Sequence, residues 1–136
     1  MRLLLTGNPG VGKTTLIRAV VERLEGLTCA GFYTEEIRQR GQRTGFRAVT
    51  LDGRKAILAS LGNHQHTVSK YSVHVEQFDK LVLRYLDPVM TPADLYVIDE
   101  IGKMELLSQQ FRTRLIELLA QPTNLRQPSA KEPMVW

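Results

Sequence analysis

Apolar positions change their period several times along the chain, and each change marks an element. Residues 2–6, Arg2-Leu3-Leu4-Leu5-Thr6, read as a buried strand. Leu16, Ile17, Val20, Val21 and Leu24 then recur at helical spacing, which predicts an amphipathic helix over 15–24 with Gly26 as its stop. Residues 29–38 are strand-like, Gly41-Gln42 offers a turn, and 45–51 return as a second strand. Asp52-Gly53 is a hairpin signal leading into a third strand over 55–58. The period is lost over 60–69, where a loop is expected. Tyr71, Val73 and Val75 alternate with Ser72, His74 and Glu76, as in a half-buried strand. Phe78, Leu81, Val82, Tyr85 and Leu86 mark a helix that Asp87-Pro88 ends. Leu95-Tyr96-Val97-Ile98 is an unbroken apolar run, typical of a strand covered on both faces. Met104, Leu107, Phe111, Leu115 and Leu118 predict a last helix reaching about Ala120. The final stretch, 121–136, carries Pro122, Pro128 and Pro133 without an apolar period and reads as an irregular tail.

The order of strands and helices indicates an α/β fold with a mostly parallel sheet and an added antiparallel hairpin. One domain is expected over 1–120, followed by the Pro-rich tail over 121–136. The length of 136 residues suits one domain with a real core. At 43% hydrophobic and 24% charged residues, the composition is that of an ordinary globular protein. No apolar run approaches the roughly 20 residues of a membrane span, and the short apolar start does not read as a signal peptide. A cytoplasmic location is therefore the default expectation. The single cysteine, Cys29, cannot form an internal disulfide and is read as a small core residue. Net charge is +4, with Arg38, Arg40, Arg43, Arg47, Arg54 and Lys55 clustered over the predicted hairpin. A solvated hairpin face is favoured over a nucleic-acid patch. His64 and His66 form an isolated pair and are read as loop histidines rather than metal ligands.

Between the first strand and the first helix lies Gly7-Asn8-Pro9-Gly10-Val11-Gly12-Lys13-Thr14-Thr15. It fits the phosphate-loop pattern G-x-x-x-x-G-K-[ST] at every fixed position. Glycines let successive backbone N–H groups turn inward as an anion nest, and the following helix directs its partly positive N-terminus at the same anion. Lys13 adds a charge for the outer phosphates, and the Thr14 hydroxyl is placed to ligate Mg²⁺. The second segment is Leu95-Tyr96-Val97-Ile98-Asp99-Glu100-Ile101-Gly102. An apolar strand that ends in an acid places that acid at the carboxyl edge of the sheet, where open α/β sheets bind ligands. Asp99 is the second candidate Mg²⁺ ligand, and Glu100 can orient or deprotonate an attacking water.

These segments occur in order with Gly31-Phe32-Tyr33-Thr34-Glu35-Glu36, with Gly45-Phe46-Arg47-Ala48-Val49-Thr50-Leu51, and with Lys103-Met104-Glu105-Leu106 directly after Gly102. Together they resemble the small P-loop nucleoside-triphosphatase family, which includes thermophile and vertebrate cancer-related members. The resemblance covers about 1–120. It implies a RecA-like sheet with added antiparallel strands. It also implies Mg²⁺-dependent hydrolysis of ATP, GTP and other nucleoside triphosphates to diphosphate and phosphate, with loose base selectivity. Glu100 and Lys13 are the implied catalytic residues. Lys103 is a further candidate for charge near the transferred group. Phe32 and Tyr33 read as core strand residues. Glu35 or Glu36 can face the metal site, and Arg43 or Arg47 can serve as an internal arginine finger, with nothing to select between them.

The ending departs from the family pattern, which continues with a further strand in mid-sheet, a helix and an Asn-Arg segment near the base. The chain is thus read as truncated or alternatively ended, with its last strand or strands missing, which predicts weak activity or none and marginal stability. Two alternatives stand beside hydrolysis: a nucleotide or small-metabolite kinase, and a nucleotide-binding or RNA-associated module without turnover. The absence of a clear Arg-rich lid and the Asp99-Glu100 pair favour water as acceptor. No membrane partner is expected, and oligomeric state is open.

Overall fold

The computed structural model describes residues 12–62, 66–120 and 134–135. Helix α1 spans Lys13–Arg23, and three long strands follow: β1 Cys29–Gln39, β2 Gln42–Thr50 and β3 Lys55–Leu61. Short strands β4 Thr67–Val68 and β5 Tyr71–Val73 lead into helix α2, Val75–Tyr85. Strand β6 is Leu95–Ile98, a single helical turn covers Glu105–Leu107, helix α3 is Gln109–Ala120, and β7 is Met134–Val135. The strands lie in one sheet in the order β4-β5-β3-β2-β1-β6-β7. Pairing is antiparallel from β4 to β1 and parallel across β1–β6 and β6–β7. This is the expected α/β fold with its antiparallel hairpin, but among the described strands the sheet is mixed rather than mostly parallel, with four antiparallel pairings to two parallel. The strand expected over 2–6 lies outside the described residues.

Both faces of β6 are covered, as its apolar run predicted. Leu95 and Val97 pack with Ile17 of α1, while Tyr96 and Ile98 join the larger core beneath α2 and α3. That core centres on three rings from three elements. Phe32 of β1 meets Phe78 of α2 edge-on at 5.4 Å, and both contact Phe111 of α3 at 6.1 and 5.4 Å. Such aromatic contacts add to the gain from burying large apolar surface. On α1 the expected apolar stripe is only partly used. Ile17 is buried, Val21 and Leu24 pack beside it, and Leu16 is left 51% exposed.

Three expectations need correction. The region read as a loop over 60–69 contains the end of β3 and all of β4. The alternating strand stops at Val73, whose three-residue strand is buried throughout, and Val75 already begins α2. The last helix is interrupted. Ser108 adopts extended backbone, its hydroxyl accepts the Phe111 N–H at 2.9 Å, and α3 starts there. A serine oxygen that satisfies an otherwise unpaired N–H sets a helix start. The interruption also changes which residue is buried. Leu107, placed on the apolar face by periodicity, is exposed, whereas Glu105 is 3% exposed.

The tail differs from the reading as irregular throughout. Met134 pairs with Leu95 and Val135 with Tyr96, so two tail residues form a parallel strand on β6. Both follow Pro133, the last proline, so their N–H groups are free to pair. Residues 121–133 lie outside the described residues.

Candidate active site

The start of α1 fits an anion site. Gly12 precedes the helix at φ 89°, a left-handed conformation suited to glycine, and among the described residues no side chain caps the helix start. No acidic residue occupies its first turn, so the helix dipole there favours a negative ligand. Lys13 and Thr14 lie in this turn, half-buried, and Thr15 is exposed. The remaining phosphate-loop positions, Gly7, Asn8, Pro9, Gly10 and Val11, lie outside the described residues.

Asp99 follows β6 at the carboxyl edge of the sheet. Its backbone N–H donates to Phe32 O at 3.3 Å, carrying the β1–β6 ladder one step past the strand. The ladder runs unusually close. At Gly31, φ is 112° and an added Cβ would lie 2.0 Å from Val97 O, so only glycine fits. The Asp99 carboxylate is then gripped from two elements. The Thr14 hydroxyl donates to Oδ2 at 2.7 Å, and the Thr34 backbone N–H donates to the same oxygen at 3.3 Å. The two motifs read separately in the sequence thus converge on one atom.

Glu100 is exposed beside Asp99, and the Thr34 hydroxyl donates to its Oε2 at 3.3 Å. Ile101 and Lys103 are exposed, and the chain bends back through Gly102. A Cβ at Gly102 would stand 3.1 Å from Glu100 Oε1 and 2.9 Å from Glu105 Oε2, so its missing side chain makes room for two carboxyl groups. The Gly102 N–H donates to Glu105 Oε2 at 3.2 Å. Burial pushes the Glu105 carboxyl up to about 7. The negative charges of Glu100 and Asp99 add to that rise, against backbone N–H bonds from Glu105 itself and Gly102.

Thr34 is the residue that sequence reasoning missed, because a threonine beside Glu35 and Glu36 carries no chemical signature of its own. Glu35 is ion-paired with Arg47, while Glu36 holds Arg38 at 2.7 Å and Arg43 at 2.6 Å. Three of the hairpin's positive charges, Arg38, Arg43 and Arg47, therefore face its own acids. The signal for Thr34 lay in strand register. Phe32 pairs with Ile98, and continuing that register sets Thr34 opposite Glu100. Tyr33, expected in the core, is half-buried with the Arg18 guanidinium 5.2 Å from its ring centre. Cys29 is half-buried at the margin of the α1-side core.

The donors are hard oxygens, one hydroxyl and one carboxylate 2.7 Å apart. That set suits Mg²⁺, which takes few protein ligands and keeps positions for phosphate and water. Among the described residues, no helix is long and apolar enough to cross a membrane.

Comparison with known proteins gives this arrangement a context. A family model described as NTPase matches residues 2–126. The chain is 47% identical over 113 residues to nucleoside-triphosphatase THEP1 of Thermotoga sp. (strain RQ2), covering 82% of this chain and 64% of that protein. It thus spans less than two thirds of that relative's length. Its fold matches the crystal structure of THEP1 from Aquifex aeolicus with a TM-score of 0.80 and 37% identity, over 99% of this chain and 74% of that one. It also matches the solution structure of a human cancer-related nucleoside triphosphatase, with a TM-score of 0.76 and 39% identity, over 98% and 72% of the two chains. With a family match over nearly its whole length and the same fold at this level of identity, the chain belongs to the NTPase family.

Proposed function

We propose that this chain carries the nucleotide site of a Mg²⁺-dependent nucleoside-triphosphate phosphohydrolase, which converts triphosphate and water to diphosphate and phosphate. The observation that carries the reading is the Thr14–Asp99 hydrogen bond, with Glu100 next in sequence. It joins the phosphate-loop hydroxyl to the strand-end acid, the two oxygen donors a phosphate-bound Mg²⁺ requires. When bound there, Mg²⁺ supplies charge neutralisation for the phosphates. Lys13 and the N-terminus of α1 bind and orient the triphosphate. Glu100 orients the attacking water and accepts its proton. Loose base selectivity follows from the family resemblance, and ATP and GTP are both expected substrates.

Phosphate release from a panel of triphosphates, with and without Mg²⁺, tests this reading. Glu100→Gln is expected to keep nucleotide binding and lose about 10²–10⁴-fold in turnover. Lys13→Ala is expected to weaken binding through loss of a charge-assisted contact. Unchanged turnover in both variants would remove the assignment.

A further inference from the structure

We propose that Thr34 is a positioning residue for the hydrolytic pair, its hydroxyl holding the Glu100 carboxylate while its backbone N–H holds Asp99. The inference rests on the hydrolytic reading of Glu100 given above. Glu100 is an exposed, long side chain, and nothing about its place in the sequence fixes where its carboxylate points. Two neighbours locate it. Oε2 accepts the Thr34 hydroxyl at 3.3 Å, and Oε1 lies over the space left by the missing Gly102 side chain. The Thr34 N–H meets Asp99 Oδ2 at 3.3 Å, the oxygen that also accepts from Thr14. One residue of β1 therefore sets the offset between the two acids. Its own position is fixed by the close β1–β6 approach at Gly31 and by antiparallel pairing with Ala48. Orienting a water requires a carboxylate held in one place, because small misplacements of a reacting group cost large factors in rate.

Thr34→Val keeps the shape and the backbone N–H and removes only the hydroxyl. It is expected to lower kcat by about tenfold to a hundredfold with KM essentially unchanged. Thr34→Ser should restore most of the rate. In a Glu100→Ala background, Thr34→Val should cause no further loss, because the two residues act as one unit. A readout independent of turnover is the Glu100 Cδ resonance in the nucleotide-free chain, which should move in Thr34→Val and return in Thr34→Ser. An unmoved resonance overturns the proposal, as does a Thr34→Val enzyme with the parent kcat. If the parent chain released no phosphate, the hydrolytic reading would fail, and the resonance alone would decide whether Thr34 holds Glu100.

Discussion

β6 is held unequally on its two sides. Towards β1 it pairs over four residues, from Cys29–Leu95 to Phe32–Ile98, and the ladder continues to Asp99. Towards β7 it pairs over two, both at its amino end. The side with the longer seam is also the side that shapes the site. Thr34 of β1 and Thr14 of α1 supply the described hydrogen bonds to the side chains of Asp99 and Glu100. Covering both edges of a central strand protects it from association. Setting the geometry of the acids at its end draws on the β1 edge together with α1.

The strongest way to break this asymmetry is Gly31→Ala. The new methyl would meet Val97 O at 2.0 Å in a left-handed backbone conformation, so β1 must withdraw from β6. A loss of about 3 kcal/mol or more is expected from overpacking and backbone strain together, read from urea denaturation. Retained stability would show that the seam gives more easily than its spacing indicates.

A smaller effect concerns the turn that follows β6 and depends on pH. Folded, Glu105 keeps its proton up to about 7, whereas in the unfolded chain it ionises near its ordinary 4.5. Between these values the folded state binds more protons. The contribution of this carboxyl is thus fully present below 4.5 and is lost as pH rises through 7. Glu105→Gln should flatten that slope, gaining about 1–3 kcal/mol relative to the parent on going from pH 5 to pH 8. Urea melts at the two values without Mg²⁺ measure it, and an identical slope in both proteins would refute it.

The smallest effect is expected on the other seam. Removing residues 134–136 deletes the β7 pairing at roughly 1 kcal/mol per hydrogen bond lost. It should promote self-association through the bare edge of β6, visible in sedimentation, while the Glu100 Cδ resonance stays in place. Displacement of that resonance would show that both seams shape the site.

The β1 seam and the β7 seam were also unequally legible. The apolar run of β6, the acid at its end and the phosphate-loop residues Lys13 and Thr14 each have a strong local signature, so they were readable one at a time. Thr34 was not. Its role comes from register between strands more than sixty residues apart, and no period along the chain encodes register. The single-helix reading of 104–120 failed for a related reason. Met104 and Leu107 keep helical spacing with Phe111, but Ser108 offers the Phe111 N–H an oxygen and restarts the helix. The turn so created buries Glu105, an outcome that hydrophobic periodicity opposes. At the tail, three prolines and the lack of an apolar period concealed two residues able to pair.

One oxygen atom has a consequence for how this molecule comes into being. Asp99 Oδ2 receives one hydrogen bond from 85 residues upstream and another from 65. Closing loops of that length delays contact formation in folding. During synthesis, α1 and the whole β1–β3 hairpin leave the ribosome well before residue 99 does. The Thr14–Asp99 pair, proposed above to hold Mg²⁺, therefore exists only once most of the described fold has assembled. Mg²⁺-dependent nucleotide affinity should accordingly be acquired late and all at once, making it a marker of completed folding that no early fragment can imitate.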